Sequence, residues 1–131
     1  MSKIDYLNTD LIIESPDDLT PIAEDLGEDV VVMYNGKWGK VNRAAFEIAG
    51  VHSDANETIQ YFCSLVEGLG EREQAIWDSC FSKVFDIGYE SGTSAQNFSS
   101  VIRPGTVKRI AGIGAAIEIT IYPPIDKRKK H

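Results

Sequence analysis

Residues 11–34, LIIESPDDLTPIAEDLGEDVVVMY, are echoed 88 positions later by residues 99–122, SSVIRPGTVKRIAGIGAAIEITIY, and this echo decides the fold. Ile13 falls on Val101, Pro16 on Pro104, Asp18 on Thr106, Ile22 on Ile110, Ala23 on Ala111, Val31 on Ile119, Met33 on Ile121 and Tyr34 on Tyr122. Each copy reads as a strand, a proline-bearing turn, a short helix and a strand ending in tyrosine. A strand-helix-strand unit cannot cover its own apolar face, so the two copies are expected to join other strands in one sheet.

Outward from the echo, Leu11 to Glu14 reads as a strand and Ser15-Pro16-Asp17-Asp18 as a turn. Proline is tolerated in the first helical turn, where backbone N–H groups lack partners, so Pro21 sets the register with Asp18 as N-cap. Thr106 is the corresponding cap of the second copy. Leu19, Ile22, Ala23 and Leu26 then form the buried stripe, Glu24, Asp25 and Glu28 point outward, and Gly27 ends the helix. The continuous apolar run from Val30 to Tyr34 predicts an interior strand covered on both faces. Asn35-Gly36 is a hairpin signal leading into a weaker strand between Trp38 and Ile48.

Asp54 and Glu57 have capping-box spacing at the start of a helix carrying Ile59, Phe62, Cys63 and Val66. Gly68 and Gly70 interrupt it. Ile76, Trp77, Cys80, Phe81 and Val84 continue the helical spacing, so a second helical piece is expected before Phe85, Ile87 and Tyr89, which alternate as a half-buried strand. Residues 91–97 read as a polar loop. The resulting order is β-α-β-β-α-β-β-α-β with a split central helix. The expectation is an α+β fold: one domain over residues 1–125, a mostly antiparallel sheet with helices on one face, and a ferredoxin-like split βαβ core.

Composition sets the function classes. The 131 residues, 43% hydrophobic and 25% charged, match an ordinary globular domain able to bury about two-thirds of its unfolded surface. No apolar run nears the ~20 residues of a membrane span, and no basic-then-apolar signal pattern opens the chain, so a cytoplasmic protein is expected. Cys63 and Cys80 occupy apolar positions and read as reduced core residues. Net charge is −7, and residues 1–29 alone carry nine acidic groups against one lysine. Such a surface opposes nucleic acid and favours a basic partner, although solubility also explains it. Residues 126–131, containing Lys127-Arg128-Lys129-Lys130, read as a solvated basic tail.

Catalytic patterns are thin. His52, Asp54 and Glu57 could form an acid-base pair or part of a metal site, but a capped helix start accounts for the carboxylates, and the other histidine is terminal His131. There is no Gly-x-Ser-x-Gly elbow and no phosphate-binding glycine loop; Gly68-Leu69-Gly70 and Gly112-Ile113-Gly114 are isolated pairs at helix ends. No catalytic residue, metal or cofactor is expected. Trp38, beside Gly36 and Gly39, is placed either as an exposed interface anchor or folded over the sheet edge.

In size, acidity and lack of catalytic groups the chain resembles the small immunity proteins that neutralise toxins of contact-dependent inhibition and related secretion systems. Residues 15–21 (SPDDLTP), 85–89 (FDIGY) and 117–122 (IEITIY) also resemble signatures of a small bacterial α+β domain family of undefined role. The resemblance implies occlusion of a basic toxin active site by carboxylates, with Asp17, Asp18, Glu24, Asp25, Glu28, Asp29 and Trp38 as the partner-binding residues. The alternative is a ferredoxin-like ligand-binding regulatory module acting as a homodimer. A third is an enzyme centred on His52.

Overall fold

The strand read from Leu11 begins six residues earlier and takes the centre of the sheet. In the computed structural model, which describes residues 4–50, 54–93 and 97–124, β1 runs Asp5–Ser15 with Thr9, Leu11, Ile13 and Ser15 buried and the residues between them turned to the other face. The order continues with α1 (Thr20–Leu26), a 3-10 turn (Gly27–Asp29), β2 (Val30–Trp38), β3 (Val41–Ile48), α2 (Ala55–Glu67), α3 (Glu71–Ser79), β4 (Ser82–Glu90), α4 (Pro104–Gly112) and β5 (Ala116–Tyr122). The chain is thus α+β, a single compact domain on one five-stranded mixed sheet.

The sheet order is β2-β3-β1-β4-β5, with β5 parallel to β4 and the other neighbours antiparallel. The first four strands have the split βαβ order, because β3 inserts between β1 and β2. All helices pack on one face. Leu11, Ile13, Phe46, Phe85 and Ile87 from the sheet meet Ile22, Ile59, Phe62, Val66, Trp77 and Ile110 from the helices. The Phe62 and Phe85 rings lie 5.6 Å apart across this layer.

Four expectations are corrected. The run Val30–Tyr34 is not an interior strand: β2 is an edge, and Val31, Val32, Met33 and Tyr34 are exposed. A continuous apolar run looks the same in a covered strand and in an edge whose apolar surface is left open. The hairpin does not turn at Asn35-Gly36. These residues stay in β2, and the two-residue turn is Gly39-Lys40, flanked by paired Trp38 and Val41. Gly39 has φ +65°, the left-handed value that the first central position of a type II′ turn requires.

The helical spacing from Ile76 stops at Ser79; Phe81 is exposed and Val84 belongs to β4. Finally, residues 97–103 form no strand, so among the described residues the second copy contributes a helix and one strand only. The caps shift with it. α1 starts after Leu19, with Asp18 Oδ1 accepting from the Thr20 N–H (3.0 Å) and hydroxyl (2.8 Å). α4 starts at Pro104, so Thr106 lies inside the first turn, buried and accepting from Gln60 Nε2 at 3.0 Å. What the echo preserves is its helix and its last strand: β2 and β5 become the two opposite edges of the sheet.

The capping box is as read on its Asp54 side, where Oδ1 accepts from the Glu57 N–H at 2.8 Å. Asp54→Ala should cost about 1 kcal/mol, read as a lower urea midpoint with unchanged slope. Cys63 and Cys80 are buried free thiols, and burial pushes each up to about 11. His52 and the 126–131 tail lie outside the described residues.

Candidate binding face

Because all the described helices lie on one side, no described residue covers the opposite face of the sheet, and strand register determines what it presents. Residues directly paired on neighbouring strands share a face, so the pairs Glu47↔Asp10, Asp10↔Asp86 and Asp86↔Glu118 define one row of four carboxylates across β3, β1, β4 and β5. With strands about 4.8 Å apart, the row is about 14 Å long. Val31 of β2 ends it on one side.

Like charges placed directly opposite each other on a sheet are destabilising. Asp10, in the middle, carries the strain: burial, then the neighbouring Glu47 and Asp86 carboxylates, push its carboxyl up from 3.8 to about 6. Two neutral donors stabilise the row. Asn8 Nδ2 donates to Asp10 Oδ1 at 3.0 Å, and the Thr120 hydroxyl donates to Asp86 Oδ1 at 2.7 Å.

The next row is apolar: Tyr34, Ala45, Ile12, Val84 and Ala116. Beyond it Arg43 pairs with Glu14, with 3.8 Å between Nη1 and Oε2. The Arg43 guanidinium lies 4.4 Å from the centre of the Trp38 ring, and Tyr34 meets that ring edge-on at 5.6 Å. Arg43 is therefore held at an aromatic corner, two rows away from the carboxylates. Trp38 is 54% exposed there, on the sheet face.

The other sequence-predicted residues belong to the helix layer and the turn leading into it, which β2 and β3 meet where Asn35 Nδ2 donates to Thr20 Oγ1 (3.3 Å) and Asn42 Nδ2 to the Pro16 carbonyl (3.1 Å). Asp17 Oδ2 accepts from Ser79 Oγ at 3.3 Å. Asp18 caps Thr20, whose N–H and hydroxyl hold its carboxyl below the usual range. Asp25 Oδ2 accepts from the Gly70 N–H at the start of α3 (2.9 Å), where an anion also meets the positive helix end. Asp29 Oδ1 accepts from the Tyr61 hydroxyl at 3.0 Å. Glu24 and Asp25 line one shallow depression with Arg72 and Glu73, and Glu28 is exposed in the 3-10 turn. Trp38 thus projects from the open sheet face, whereas these carboxylates belong to the helix side of the sheet.

The residues that sequence reasoning missed are Asp10, Glu47, Asp86 and Glu118. Glu47, Asp86 and Glu118 are lone acids between apolar neighbours, as in Phe85-Asp86-Ile87 and Ile117-Glu118-Ile119, and Asp10 stands between Thr9 and Leu11. That alternation marks an outward position.

Among the described residues no cluster of His, Cys, Asp or Glu is placed to hold a metal ion, which fits an extended row rather than a converging one. No helix among them is long and apolar enough to cross a membrane. Concave features among the described residues include a depression of about 70 Å³ beside Tyr6, Asn8, Thr9 and Thr58, and a groove of about 370 Å³ between Tyr6, Asp54, Phe98 and Arg103. The chain has no significant match among protein-family models, characterised proteins or solved structures.

Proposed function

We propose that the protein is a binding protein of the immunity type, which neutralises a basic toxin domain by covering it with a carboxylate surface. The observation that carries this reading is the Glu47-Asp10-Asp86-Glu118 row on the uncovered sheet face. A fold gains nothing for its own stability from four acids side by side, whereas a partner bearing lysines or arginines relieves their repulsion on docking. Tyr34 and Trp38, at one corner of the face, supply aromatic anchors of the kind that dominate interface energetics.

The test is co-expression with a toxin encoded beside the gene, followed by binding kinetics. Asp10→Lys combined with Asp86→Lys should slow association with the toxin by about 10-fold or more, flatten its salt dependence and abolish growth rescue. Glu24→Lys combined with Asp25→Lys is the matched control on the helix layer. If only the helix-layer reversal impairs binding, the docking face moves to α1; if neither does, acidic occlusion is rejected.

A second reading, a ligand-binding regulatory module, draws support from the 370 Å³ groove, which places Arg103 and Asp54 beside Phe98, Ser99 and Ser100. Its volume is at the lower end of small-molecule sites. A reproducible rise in melting temperature with amino acids, lost in Arg103→Ala, would favour this reading over toxin binding.

A further inference from the structure

We infer that two copies of this chain join through β5, edge to edge about a two-fold axis at Ile119, forming one continuous ten-stranded sheet. β5 is the last strand of the sheet, and among the described residues its outer side has no neighbouring strand. Backbone N–H and C=O groups point alternately to the two sides along a strand. The Tyr122 carbonyl accepts from the Ser91 N–H at 2.7 Å, which fixes the phase. Residues 116, 118, 120 and 122 direct their polar groups to β4, and Ile117, Ile119 and Ile121 direct theirs outward.

This phase selects one register. With the axis at Ile119, Ile119 faces its own copy and Ile117 faces the partner copy's residue 121, so all three outward residues pair with outward residues. Three antiparallel pairs of this kind exchange two hydrogen bonds each. An axis at Glu118 or Thr120 would oppose residues whose N–H groups are already turned to β4. An axis at Ile117 or Ile121 would leave most of the seven-residue strand unpaired.

Side chains agree with the same register. Ile117, Ile119 and Ile121 project on the helix side, where the helix layer stops short of them and they are 42%, 62% and 64% exposed. Pairing would gather the six isoleucines of two copies along one seam. On the open face Glu118 would lie opposite Thr120 of the second copy rather than opposite another Glu118, so the strand's charge is accommodated.

The other edge lacks these properties. β2 is interrupted by a bulge between Val32 and Tyr34 and carries Gly36 and Lys37, devices that protect an edge from pairing. Pairing β2 with β5 of another copy would also be heterologous and open-ended, whereas β5 with β5 closes. One short strand a side lies below the roughly 800 Å² per partner of a standard interface, so the dimer is expected in the micromolar range.

Sedimentation equilibrium of the full chain from about 1 to about 200 μM tests this. The wild type should pass from monomer to dimer, and Ile119→Lys, exposed and therefore compatible with folding, should stay monomeric with an unchanged circular dichroism spectrum. Ile119→Cys should form a disulfide-linked dimer on mild oxidation, because facing Cα atoms in this register are about 5.5 Å apart. Ile121→Cys should not, since its copies would lie about 13 Å apart along the strands. A wild type that is monomeric throughout, a dimer that survives Ile119→Lys, open-ended oligomers, or linking of Ile121→Cys as readily as Ile119→Cys would each overturn the inference.

Discussion

Trp77→Ala should destabilise the protein by about 4 kcal/mol, a large share of the 5–15 kcal/mol that holds a domain together. Trp77 is 1% exposed, and its indole N–H donates to the Ile113 carbonyl at the end of α4, 2.9 Å away. It therefore ties α3 to α4. Lys83 adds a second contact, its ammonium 5.6 Å from the ring centre and 3.3 Å from the Trp77 carbonyl. Truncation removes the largest fully buried side chain and opens a cavity between both helices and β4. Trp77→Phe keeps most of the volume but loses the donor, so it should cost about 1–2 kcal/mol. Urea unfolding of the pair checks the ordering; equal losses would mean that packing alone, without the Ile113 bond, holds the junction.

Asp10→Asn should stabilise the protein at neutral pH by about 1–2 kcal/mol, the Asp10 shift discounted for solvent screening of a half-buried group. Glu47 faces Asp10 from β3 and Asp86 faces it from β4, with Glu118 beyond Asp86 and Asn8 as the neutral donor. Since the folded-state value of about 6 lies above 3.8, the folded protein holds this proton more tightly than the unfolded chain. Stability from Asp10 is therefore fully present below 3.8 and is lost as pH rises through about 6. Asp10→Asn should remove that slope, so its advantage over the wild type should be large at about pH 8 and absent at about pH 4. An advantage independent of pH would mean that repulsion within the row is not its source.

The sequence revealed this fold where local chemistry dictates it and misled where only pairing partners decide. Asp54 and Gly27 terminate helices because capping and a left-handed φ are local requirements. Val30–Tyr34 misled because apolar content does not say whether a neighbouring strand exists, and Asn35-Gly36 misled because the competing Gly39-Lys40 turn aligns Trp38 with Val41. Residues 97–103 carry enough of the echo to look like a strand but find no place beside β4, since β1 and β5 occupy both of its sides. The carboxylate row follows the same logic. Glu47, Asp86 and Glu118 alternate with apolar residues in the sequence, whereas Asp10 lies before the strand read from Leu11; the alignment of all four is a property of three registers at once, and register is not written in any one segment.

The central position of β1 has a consequence for synthesis. This strand precedes both of its neighbours in the chain, and its second neighbour, β4, pairs Asp5 with Glu90. A growing chain must therefore keep its central strand half-unpaired until residues 82–90 have left the ribosome, with Leu11 and Ile13 available to any passing chaperone or aggregate in the interval. Contacts this distant in sequence slow folding, so the interval is set by the chain's own topology.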